Sequence, residues 1–162
     1  MAIRDRTRRA NGRLRFHLWA AIAIGAALAF IVAAQALLLG WRDAKQIGTL
    51  ALLYGGSGFV GTFAGSWLAT WFTHRPAGAF AAWAMLSGGL SMGGGAFLFA
   101  LTYRAAYAQW HEAAFTVAWA FQGFFTMAGA VYYWAVLGTR MILPWAIVPL
   151  ALGALAFARR VR

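Results

Sequence analysis

Five apolar runs, at about 17–40, 47–72, 77–103, 113–138 and 141–158, follow one another along this chain with almost no ionisable side chain inside any of them. A helix needs about 20 apolar residues to cross the hydrocarbon core of a bilayer, so the first four runs are long enough and the last is borderline. The expected fold is all-α, a polytopic integral membrane bundle of five transmembrane helices. The alternative is four helices plus a re-entrant or interfacial C-terminal segment.

Composition points the same way. Hydrophobic residues make up 63% of the chain and charged ones 10%, against about a quarter charged in an ordinary soluble domain. A water-soluble fold has nowhere to hide that much apolar surface. Most of the chain lies inside the runs, which leaves no room for a separate soluble domain. The expected organisation is a basic arm over 1–16, a bundle over 17–158 and a basic tail over 159–162. The absence of cysteine excludes disulfides, thiolate metal sites and cysteine nucleophiles.

The net charge of +11 sits mainly at the two ends. Arg4, Arg6, Arg8, Arg9, Arg13 and Arg15 precede the first run, and Arg159, Arg160 and Arg162 follow the last. By the positive-inside bias the amino terminus is expected in the cytoplasm, where anionic head groups attract basic residues by about 1 kcal/mol each. The arm lacks the stacking aromatics and reading motif of a nucleic-acid surface, so no nucleic-acid partner is expected. Its apolar run exceeds the core of a signal peptide and three further spans follow, so it is expected to stay attached as a signal anchor. Thirteen of the fourteen cations are arginine, a bias of GC-rich bacterial genomes, and the expected location is a bacterial inner membrane.

Tryptophan and tyrosine favour the two membrane interfaces. Trp19 and Trp41 bracket the first run, Trp67 and Trp71 close the second, and Trp83 lies near the start of the third. Tyr103, Tyr107 and Trp110 follow the third, Trp119 opens the fourth, and Tyr132, Tyr133 and Trp134 finish it. Nearly every tryptophan is thereby read as a belt residue. The C-terminal run fits less well. A fifth span would put Arg159, Arg160 and Arg162 outside, against the charge rule, and Pro144 and Pro149 remove backbone donors and favour a kink.

The most specific local signal is a pair of glycine-rich blocks in the second and third runs. One contains Gly55, Gly58, Gly61 and Gly65, the other Gly88, Gly89, Gly93 and Gly94. Folding the chain about His74-Arg75-Pro76 sets Gly55 level with Gly94, Gly58 with Ser91 and Gly61 with Gly88. Small residues let helix backbones approach closely, which drives association where the hydrophobic effect cannot. The expected role is helix packing or a partner interface. A groove for a flat apolar ligand such as a quinone, a carotenoid or a lipid tail remains open as a reading. Ala21, Gly25, Ala29 and Ala33 form a similar stripe on the first span. Ser57, Ser66, Ser87 and Ser91 read as small packing residues.

Gln35, Gln122 and Thr126 are the intramembrane polar residues, either interhelical glue or a site for a polar solute. The acids are Asp5, Asp43 and Glu112, all in the arm or connections. His17 and His74 are expected together at the cytoplasmic interface, with His111 and Glu112 on the opposite side. No acid pair, metal cluster or phosphate-binding loop is evident, so no catalytic, cofactor or metal site is expected. The reading of the whole is a non-catalytic membrane protein, an accessory, packing or assembly component that binds another membrane protein, or itself, and lipid. The alternative is a small homo-oligomeric channel or transporter for an ion or small solute.

Overall fold

The computed structural model describes residues 2–72 and 75–161, with side chains described from residue 12 onward. His74, Arg162 and the side chains of Arg4, Asp5, Arg6, Arg8 and Arg9 fall outside the described residues, and so does any pairing of His17 with His74. Every element among the described residues is helical. Helix α1 (Ala2–Leu38) joins the basic arm and the first span in one continuous rod. Helix α2 (Ala44–Ala69) starts where the Asp43 carboxylate accepts from the backbone N–H groups of Lys45 and Gln46, a standard N-terminal cap. Helix α3 (Pro76–Tyr107) starts on a proline, whose fixed φ suits the first turn and whose missing N–H costs nothing there.

The last third of the chain departs from the expected pattern. The fourth run was expected to begin at residue 113, but helix α4 (Val117–Tyr133) begins only after Thr116, whose hydroxyl caps it by accepting from Trp119 N–H. The helical path then continues through a π-helical turn (Trp134–Gly138) into α5 (Thr139–Ile142). Pro144 disfavours helix at the residue before it and lacks an amide donor, so the path stops at Ile142. Helix α6 (Ile147–Ala158) follows at a bend of 80°. Its 12 residues reach about 18 Å, well short of a bilayer core. Among the described residues three helices are long and apolar enough to cross a membrane, and a fourth crossing requires the bent pair to act as one. The expected count of five is not reached, because the fourth and fifth runs are divided at Pro144 into one long and one short piece.

Helix α2 lies between α1 and α3, and glycine sets both contacts. Toward α1, a Cβ placed on Gly25 would stand 2.8 Å from the Gly55 carbonyl oxygen, and one on Gly55 would stand 3.0 Å from Ala29 Cβ. Gly58 lies against Leu28. Toward α3, a Cβ on Gly61 would collide with the Ser91 backbone and one on Gly65 with that of Ser87. Ser91 Oγ donates to the Gly58 carbonyl at 3.4 Å, an interhelical bond that only close backbones permit. Gly58 and Ser91 meet as a hairpin folded about residues 74–76 predicts, but Gly61 faces Ser91 rather than Gly88, which corrects the pairing expected there. Ser87 and Ser91, four residues apart, form the face that meets α2, whereas Gly88 sits about a quarter-turn away against Leu150 of α6.

Helix α6 runs antiparallel to α3, with Leu150 beside Gly88 and Gly153 beside Trp83. Trp83 is fully buried, its ring seated where any Gly153 side chain would be. Trp134 is also buried, stacked on Tyr54 at 4.4 Å between ring centres and occupying the space above Gly95. Both were expected in the belts and both are core. A further turn along α6, Phe157 packs 6.0 Å from Phe16, so the chain's end returns to the end of the bundle where α1 enters it.

Candidate functional site

A cavity of about 540 Å³ opens between the C-terminal end of α1, the first half of α2, the C-terminal third of α3 and the π-helical turn. That volume falls within the range of about 300–1,000 Å³ typical of small-molecule sites. Its wall is apolar and aromatic, built from Leu50, Tyr54, Phe99, Trp134, Leu137 and Met141. Trp41, Tyr133 and Arg140 stand at the rim, and Gln35 reaches it from α1.

The wall exists because of the irregular backbone beside it. In the π-helical turn Thr139 N–H reaches back to the Trp134 carbonyl, five residues earlier, which widens the helix by one residue. The Tyr54 hydroxyl donates to the Gly138 carbonyl at 2.7 Å, a bond from α2 to the turn that is buried from solvent. Thr139 Oγ1 donates to the Ala135 carbonyl. Tyr54 is thus tied to the turn through its hydroxyl and to Trp134 through its ring.

The three intramembrane polar residues separate into two places. Gln122 and Thr126 lie on one face of α4 and fasten the connection that precedes it. Gln122 Oε1 accepts the Glu112 backbone N–H at 2.9 Å, and Thr126 Oγ1 pairs with His111 Nε2 at 3.2 Å while donating to the Gln122 carbonyl. His111 therefore turns inward, and the Glu112 side chain stays exposed. Arg104, in the last turn of α3, extends over the Trp119 ring at 4.8 Å and along Gly123, closing the same corner. Gln35 stands apart on α1, between the cavity and a second apolar groove of about 620 Å³ along α6. Its carboxamide has no hydrogen-bond partner among the described residues.

The glycines also separate. Gly25, Gly55, Gly58, Gly61 and Gly65 lie in the two internal helix contacts, and a Cβ placed on Gly94 would stand 3.9 Å from that of Ser57. A Cβ placed on Gly89 or Gly93 would meet no other part of the bundle within 4 Å, and both face outward, as does Met85 on the same side of α3. Half of the second glycine block therefore plays no part in the bundle's own packing.

Near the other end, His17 is buried and its Nδ1 pairs with Ser66 Oγ at 2.9 Å. The hydroxyls of Thr62 and Ser87 and the indole N–H groups of Trp83 and Trp134 are buried without a hydrogen-bond partner among the described residues. Among the described residues no three His, Asp or Glu side chains gather as metal ligands would. Sequence reasoning missed the cavity, whose wall mixes ordinary core residues from four segments. Its one legible mark was Gln35. Comparison with known protein families, with curated proteins and with solved structures finds no match.

Proposed function

We propose that the protein is a non-catalytic membrane component that binds a neighbouring membrane helix, from another protein or a second copy, on the outward face of α3. The observation behind this reading is the open space over Gly89 and Gly93. A glycine pair four residues apart on a lipid-facing surface lets a second backbone approach closely, and in lipid such contact is a principal source of helix association. Inside a bundle glycine serves the same purpose, as Gly61 and Gly65 do. Outside it, glycine offers a surface with no partner of its own.

The channel or transporter reading is less favoured. The α1 to α3 core is closed by backbone contact at Gly25, Gly55, Gly61 and Gly65, and both large hollows are lined mainly by apolar side chains. Gln122 and Thr126 are engaged with the 111–112 connection. In our reading the chain makes four crossings, the bent α4 to α6 path serving as the fourth, with both basic ends in the cytoplasm and lipid head groups on the arm.

The test is purification in mild detergent of the wild type, Gly89→Leu and Gly93→Leu. The wild type is expected to carry a partner or to self-associate, and both variants to fold but emerge as the isolated monomer. A wild type that is monomeric and alone in every mild detergent, yet gives solute flux in liposomes, overturns the proposal in favour of transport.

A further inference from the structure

We infer that the cavity beside the π-helical turn is a binding site for an anionic phospholipid, with an acyl chain against Tyr54, Phe99 and Trp134 and the phosphate on Arg140. This does not rest on the helix-docking role of α3.

The placement of the cavity selects the ligand. Gln35 is nineteen residues beyond Phe16 on α1, about 29 Å of helix. The cavity therefore lies at the end of the bundle remote from Arg160 and the amino-terminal arm. There α1 ends, and Trp41 and Tyr133 mark the level at which amphipathic rings settle between lipid tails and head groups. Arg140 lines the cavity and is exposed, and an arginine so placed can lay its aliphatic stem on apolar surface while its guanidinium reaches the interface. A molecule filling such a site is apolar below and anionic above, which describes a phospholipid of net negative charge.

The charge balance supports the same choice. Arg140 makes no ion pair among the described residues. The nearest acid in the chain to the rim residue Trp41 is Asp43, and its carboxylate is engaged with the Lys45 and Gln46 backbone amides. Arg42 and Lys45 adjoin it and add positive charge. Basic pockets between transmembrane helices are recognised sites for anionic head groups, and a guanidinium meets a phosphate through two parallel donors. The free Gln35 carboxamide supplies a donor and an acceptor for the glycerol ester region. A neutral quinone would fill the hollow but leave the guanidinium unmatched, and free phosphate would leave the apolar wall uncovered.

The experiment is a lipid titration of the delipidated full-length protein, read by native mass spectrometry. Phosphatidylglycerol and phosphatidylcholine with identical acyl chains serve as probes. The wild type is expected to prefer phosphatidylglycerol by about tenfold, the size of one charge-assisted hydrogen bond. Arg140→Gln, at an exposed position, should erase the preference by weakening phosphatidylglycerol more than phosphatidylcholine, whose phosphate is offset by its own choline. Leu137→Trp, which fills the cavity, should lower binding of both lipids. Arg75→Gln, at the opposite end, should behave as the wild type. Equal binding of the two lipids by the wild type overturns the inference, as does a preference that survives Arg140→Gln. It is also overturned if decylubiquinone displaces phosphatidylglycerol and binds wild type and Arg140→Gln alike.

Discussion

The guanidinium of Arg160 lies 4.2 Å from the centre of the Phe16 ring. Sequence separates these residues by almost the whole chain, yet the fold brings the basic C-terminal end onto the start of the first span. A fifth span would have carried Arg159 and Arg160 to the far side, in conflict with the charge bias. The four-crossing arrangement proposed above removes the conflict. Reporters fused at Met1 and after Arg162 should therefore both score cytoplasmic, and one inserted near Ala108 should score on the other side. A C-terminal reporter on the same side as Ala108 would show that α6 does not return along α3.

Gly61 and Gly65 meet the backbone of α3, which cannot yield as a flexible side chain can. Replacing either by Leu should overpack the α2 and α3 contact and cost about 1–3 kcal/mol or more, seen as lost folded yield and a lower unfolding temperature in detergent. Gly88→Leu should cost less, because its neighbour is the far end of the Leu150 side chain at 3.7 Å. Gly12→Leu, with open space around it, should be neutral. Equal yields for Gly12→Leu and Gly61→Leu would mean that the two helices do not approach as described.

Gln122 holds the connection between α3 and α4 through the Glu112 N–H. Gln122→Leu should release that amide to water at a cost of about 0.5–1.5 kcal/mol, since an exposed donor finds a solvent partner. Hydrogen exchange should rise at Glu112 and its neighbours and remain unchanged in α1 and α2. A variant that leaves this exchange unaltered while abolishing a measurable solute flux would return Gln122 to the role of an intramembrane polar site.

What was legible in the sequence was governed by local composition. Long apolar runs define α1, α2 and α3, and the glycine blocks announced close packing before any register was known. The register itself depends on which face of a 3.6-residue period turns inward, and a hairpin folded about His74-Arg75-Pro76 does not contain that information. Trp83 and Trp134 were misplaced for a related reason. An indole is suited equally to a membrane interface and to a core, and what decides is a small residue on another helix, Gly153 for the first and Gly95 for the second. The lipid-facing surface adds a further ambiguity. Phe121, Phe124 and Phe125 are exposed on α4, and in a bilayer such residues carry no pattern that separates outside from inside.

The pairing of Trp83 with Gly153 supplies the most direct test of how α6 is held. Trp83 is fully buried, so Trp83→Ala should cost about 3–5 kcal/mol, whereas Trp67→Ala, at an exposed ring, should cost far less. That comparison establishes burial but not the partner. A double-mutant cycle does. Gly153→Ala should destabilise the wild type because the new methyl collides with the indole, and the same change in a Trp83→Leu background should cost less, since the smaller side chain leaves room. The difference, the coupling energy, is expected at about 0.5–3 kcal/mol for residues in direct contact. Thermal unfolding in detergent measures all four proteins, and limited proteolysis near Arg159 reports separately on whether α6 has come loose. Additive costs within about 0.5 kcal/mol would place Gly153 away from Trp83 and remove the support for an α6 that lies along α3.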